Sequence, residues 1–66
     1  MILLTTLSGS PFYINPDLLF KIEALPDTVM TLVDGKTMRV KESPEEIIKK
    51  IIEYKKQIYL GNLEVN

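Results

Sequence analysis

Thr28-Val29-Met30-Thr31-Leu32-Val33-Asp34-Gly35-Lys36-Thr37-Met38-Arg39-Val40-Lys41 decides the fold. Apolar and β-branched residues run into Asp-Gly and out again, the pattern of two strands joined by a tight turn. Asp-Gly suits a type I′ turn because both central residues there take positive φ. Such a turn pairs Val33 with Lys36, Thr31 with Met38 and Val29 with Val40. One face then carries Val29, Thr31, Val33, Met38 and Val40. The other carries Met30, Leu32, Thr37 and Arg39, which is mixed rather than polar.

Immediately downstream, Ser43-Pro44-Glu45-Glu46 is a helix start. Serine takes the N-cap, proline the first helical position, and Glu46 closes a capping box. Glu45 and Glu46 suit the positive end of the helix dipole, while Lys55 and Lys56 lie toward its negative end. The predicted helix runs from Pro44 to about Tyr59, with Gly61 as its C′ stop and a loose tail beyond. Its apolar positions form two neighbouring seams, Ile47-Ile51-Tyr54-Ile58 and Ile48-Ile52-Tyr59. A stripe this wide covers a sheet face and leaves an edge over.

Upstream, Ile2 to Leu7 and Ser10 to Asn15 read as two strands around a Ser8-Gly9 turn. A two-residue turn sets Leu7 against Ser10, Thr5 against Phe12 and Leu3 against Ile14. Asn15-Pro16-Asp17 ends the second strand, because proline has no N–H to donate and its neighbours favour side-chain-capped turns. A third strand follows at about Leu19 to Leu25, with Phe20, Ile22 and Ala24 on one side. The expected fold is α+β: a small antiparallel meander of about five strands, open or curled into a small barrel, under one C-terminal amphipathic helix. Residues 1–60 make a single domain and 61–66 a short tail. The expected core is Leu3, Phe12, Ile14, Ile22, Val29, Val40, Ile48, Ile51 and Ile52.

Composition narrows the function. In 66 residues there are 8 Lys+Arg against 9 Asp+Glu, a net charge of −1, and neither Cys nor His. No basic excess is present to grip a phosphate backbone, so nucleic-acid binding is not expected. Disulfides, thiol nucleophiles, imidazole bases and zinc fingers are excluded by composition. Asp17, Glu23, Asp27, Asp34, Glu42, Glu45 and Glu46 are acidic, yet turns and caps account for them and no Asp-x-Asp spacing suggests a metal. Gly9, Gly35 and Gly61 stand alone, so no phosphate loop is present. No catalytic, cofactor or metal site is expected. Without a basic n-region or an apolar run near the roughly 20 residues of a membrane span, a cytoplasmic location is expected and membrane insertion is not.

Large residues fall on both predicted sheet faces, and one helix covers one of them. Either the sheet closes on itself or a second chain covers the remainder. Met30, Leu32, Tyr54 and Ile58 are the candidate self-association residues, and a homo-oligomer is expected. Lys36, Arg39 and Lys41 lie on or beside one strand, where charge guards an edge.

The order of motifs also carries a resemblance. Gly9, Phe12, Asn15-Pro16-Asp17-Leu18, Ile22-Glu23, Pro26-Asp27-Thr28, Thr31-Leu32, Gly35-Lys36, Val40, Glu42-Ser43 and Glu46 together resemble the bacterial flagellar FlbD family of SwrD-like swarming motility proteins, from about Ile2 to Tyr59. Ser8 stands where the family has asparagine, Thr6 where a basic residue is common, and Phe20 where a polar one is usual. The resemblance implies a non-enzymatic cytoplasmic accessory of flagellar motility, near the motor at the inner face of the membrane. It would support motor power through a protein partner, the stator being the expected one. Asn15, Pro16, Asp17, Glu23, Asp27 and Thr28 form the candidate partner surface, although turn architecture alone also accounts for them. Two other classes of function stay open: a small RNA-binding regulator of flagellar expression, and a purely structural homo-oligomer.

Overall fold

Two of the three hairpins turn on a glycine with positive φ, 98° at Gly9 and 90° at Gly35, and no non-glycine among the described residues shares that conformation. This computed structural model describes the backbone of residues 1–65 and the side chains of residues 1–59. The Gly9 N–H donates to the Thr6 carbonyl and the Thr6 N–H to the Ser10 carbonyl, each at 2.9 Å. The second turn repeats the arrangement: Gly35 N–H donates to the Leu32 carbonyl at 2.9 Å and Leu32 N–H to the Lys36 carbonyl at 2.7 Å. These are three-residue loops, a type I turn closed by a left-handed glycine. The type I′ turn expected at Asp34-Gly35 would need positive φ at Asp34, which the chain does not adopt.

One extra loop residue moves the register by one and exchanges the two faces of a strand. The strands are β1 (Ile2–Thr5), β2 (Pro11–Ile14), β3 (Leu19–Ala24), β4 (Thr28–Leu32) and β5 (Thr37–Val40). In the first hairpin Ile2 faces Ile14, Leu3 faces Tyr13 and Leu4 faces Phe12. Leu4 is therefore fully buried, and Leu3, expected in the core, is 42% exposed. In the β4–β5 hairpin Met30 faces Met38 and Thr28 faces Val40. Met30 is sealed inside, Val29 is only half-buried opposite Arg39, and Val33 is exposed.

The sheets are two-stranded (β1-β2) and three-stranded (β3-β4-β5), both antiparallel, with no closed barrel. One bridge joins them, where Thr6 meets Val40 and the Lys41 N–H donates to the Thr5 carbonyl at 2.9 Å. Between β2 and β3 the chain makes a 3₁₀ turn at Pro16–Leu18, capped by the Asn15 side chain, which accepts the Asp17 N–H at 3.0 Å. The pairing of β3 with β4 slips between Leu19 and Lys21, so Phe20 sits in a bulge. A bulge re-aims side chains. Leu19 and Ile22 both reach the core while Phe20 is 71% exposed, away from the face expected for it.

The helix α1 (Pro44–Val65) begins as the sequence predicts. Glu46 N–H donates to Ser43 Oγ at 3.2 Å, and Ser43 N–H donates back to Glu46 Oε1 at 3.4 Å. Its end differs: the helix passes through Gly61 to Val65. Glycine weakens a helix interior by about 1 kcal/mol but keeps its N–H and carbonyl, so it ends a helix only when the backbone turns left-handed. The tail expected at 61–66 is thus helical as far as Val65, and Asn66 lies outside the described residues. Ile47 is fully buried with Ile2, Leu4, Ile14, Met30 and Val40, and Ile51 and Tyr54 pack against that cluster.

Candidate interaction surface

The junction between β5 and α1 is fixed from the first strand. Glu42 takes the Thr5 N–H on Oε1 and the Thr5 hydroxyl on Oε2, each at 2.9 Å. Burial pushes the Glu42 carboxyl up, but the Thr5 N–H and hydroxyl, its own backbone N–H and the charge of Lys50 more than offset this and hold it below 4.5. Hydrogen bonds to the charged form have that effect. Glu42 thereby ties the N-terminal strand to the helix start, and sequence spacing alone gives no sign of it.

The partner residues expected from the sequence do not converge. Asn15 caps the 3₁₀ turn, Pro16 is buried within it, and Asp17 reaches Lys55 of α1 at 3.4 Å. Glu23 is the penultimate residue of β3, a strand of 6 residues, and Asp27 and Thr28 lie beyond its far end. At about 3.3 Å per residue that sets Asp27 and Thr28 roughly 20 Å from the Asn15–Asp17 turn, with Glu23 somewhat nearer. Glu23 pairs with Lys21 at 3.4 Å and Asp27 with Arg39 at 3.5 Å, while Thr28 is buried. Asp27 and Thr28 border an open groove of about 570 Å³ that also touches Leu7, Lys41 and Pro44. Among the described residues, no three acidic side chains gather as a metal site would require.

The self-association residues are also dispersed. Met30 is fully buried and Leu32 and Tyr54 are packed against the core, so these three belong largely to the interior; Ile58 is 45% exposed. With the faces exchanged, the outer side of the three-stranded sheet carries Lys21, Glu23, Thr31, Thr37 and Arg39 around Val29. It is a polar, ion-paired face. On this sheet the apolar second face inferred from the two-residue turns is absent, whereas the outer side of the two-stranded sheet exposes the Leu3–Tyr13 pair.

Single apolar side chains, among them Tyr13, Phe20, Leu25 and Val33, are exposed across the β region, and on the helix several are exposed in a row. Ile48 is 50%, Ile52 60% and Tyr59 66% exposed. At 100° per residue these three lie within about 40° of one another and about 120° from the buried Ile47. They form the second of the two seams seen in the sequence, turned outward because the first one, through Ile47, Ile51 and Tyr54, already meets the sheets. The expectation that Ile48 and Ile52 belong to the core is overturned for the same reason. Lys55, on the near side of this seam, has its ammonium drawn to Asp17.

No described helix is long and apolar enough to cross a membrane. Neither the comparison with curated proteins nor that with solved structures returned a match. The comparison with protein families matches residues 1–59 to FlbD, described as flagellar and swarming motility proteins. A match across both sheets, the Glu42 junction and the outward helix seam as far as Tyr59 covers nearly all of the structure described above, and the chain belongs to the FlbD family of flagellar and swarming motility proteins.

Proposed function

We propose that this protein is a non-enzymatic, cytoplasmic accessory of the flagellar motor that works by protein–protein contact and supports motor power through the stator. Family membership supplies the link to motility. The observation that carries the contact is the seam of Ile48, Ile52 and Tyr59, an aligned row of large apolar side chains left exposed on a helix whose neighbouring seam is already packed. Single exposed apolar residues are ordinary, but an aligned row on a rigid element is what helix-in-groove partners recognise. A chain without Cys or His has few groups suited to proton transfer or nucleophilic attack, and its acids serve turns, caps and ion pairs.

The test is the stall torque of tethered cells with and without the gene. The expected result is a severalfold fall in torque with filament number and length unchanged, restored by the full chain in trans. Unchanged torque, or cells without filaments, would overturn the proposal.

A further inference from the structure

The seam has a spacing that specifies what fits it. Glu45, Ile48, Ile52, Lys55 and Tyr59 succeed one another by 3, 4, 3 and 4 residues. That is the a/d rhythm of a helix that packs knobs into holes against one other helix. Lys55 interrupts the apolar row, but its ammonium is held by Asp17 at 3.4 Å, to one side of the seam. Along the other side run Lys49 and Lys56, which among the described residues enter no ion pair with any of the acids.

We infer that this face docks a single amphipathic helix of a partner protein whose flanking positions are acidic, so that they meet Lys49 and Lys56. This is the surface proposed above to serve motility, and the inference rests on that reading. A second copy of the chain fits poorly. An antiparallel copy would set Lys49 against the other Lys56, like charge on like charge, and a parallel copy would set Lys56 against Ile51 and Lys49 against Pro44. Ile51 is packed into its own molecule. An anionic lipid surface fits poorly as well, because interfacial helices bury a broad apolar face, whereas this one is a narrow stripe of three apolar side chains.

The experiment measures binding of the full chain to two synthetic three-heptad helices with leucine at a and d, one with glutamate and one with lysine at e and g. Phosphatidylglycerol vesicles and sedimentation of the chain alone complete the set. The expected result is micromolar binding to the glutamate helix, at least about tenfold weaker binding to the lysine helix, and loss of binding in Ile52→Glu. In the variant K49E/K56E the preference should reverse, which a merely structural role for those lysines would not produce. Equal binding of both helices, binding of neither, uptake by vesicles, or a dimer abolished by I52E would each overturn the inference. If the helices fail to bind while deletion still lowers torque, the docking inference fails alone. If charge-selective binding holds while torque is indifferent to the gene, the motility proposal fails instead.

Discussion

Glu42 binds Thr5 twice, accepting the backbone N–H on one carboxylate oxygen and the side-chain hydroxyl on the other, both at 2.9 Å across 37 residues of chain. This contact closes the N-terminal strand onto the entrance of the helix. Because the folded carboxyl is a stronger acid than the usual 4.5, the linkage has a definite sign. The stabilisation is complete above the unfolded value and fades as pH falls through the folded one. Urea unfolding at neutral pH and at a pH low enough to protonate the folded carboxyl should therefore show Glu42→Gln costing about 1–3 kcal/mol at neutral pH and much less in acid. An equal penalty at both pH values would mean that the ionised carboxylate is not what holds Thr5.

Register is tested by a pair of adjacent truncations. Met30 is fully buried and Val29 is half-buried on the polar face. Met30→Ala should cost about 2–5 kcal/mol, and Val29→Ala about 1 kcal/mol or less. Equilibrium denaturation of the two variants decides between the observed pairing and a two-residue turn, which would reverse the order.

Gly35 has φ of 90°, and a Cβ built there would meet nothing within 4 Å. Any loss in Gly35→Ala is therefore backbone strain rather than crowding, about 1–2 kcal/mol. A thermal melt should record that loss, and replacement with D-alanine by chemical synthesis should recover it.

Charge reversal of Glu23 and Asp27 should do little. Both pair with exposed cations on the outer sheet face, where such contacts contribute about 1 kcal/mol or less. Cells carrying E23K/D27K should keep wild-type torque, and a loss of torque with normal folding would move the contact surface from the helix to this sheet.

Much of this was legible in the residues, and the exceptions have one cause. The capping box at Ser43-Pro44-Glu45-Glu46 and the breaks at Asn15-Pro16 and Asp34-Gly35 are local chemistry, and they fall where the sequence predicts. The length of each hairpin loop is not local. Ser8-Gly9 and Asp34-Gly35 are compatible with two-residue and three-residue turns, and burial of Leu4, Met30 and Ile47 together selects the longer one. That single residue exchanged Leu3 for Leu4 and Val29 for Met30, and with them the expected second apolar face. On the helix both seams were visible, but nothing in their composition says which of them faces the sheets. The Glu42–Thr5 contact spans the whole β region, so no local pattern announces it.

The most direct test of the account is the stall torque of tethered cells whose only copy carries Ile52→Glu, compared at matched cellular levels with wild type and with the deletion. Ile52 is 60% exposed, so the purified variant should unfold within about 0.5 kcal/mol of the parent. Torque equal to that of the deletion strain is the predicted result. Wild-type torque from a folded variant would contradict the claim that the outward helix seam is where this protein acts.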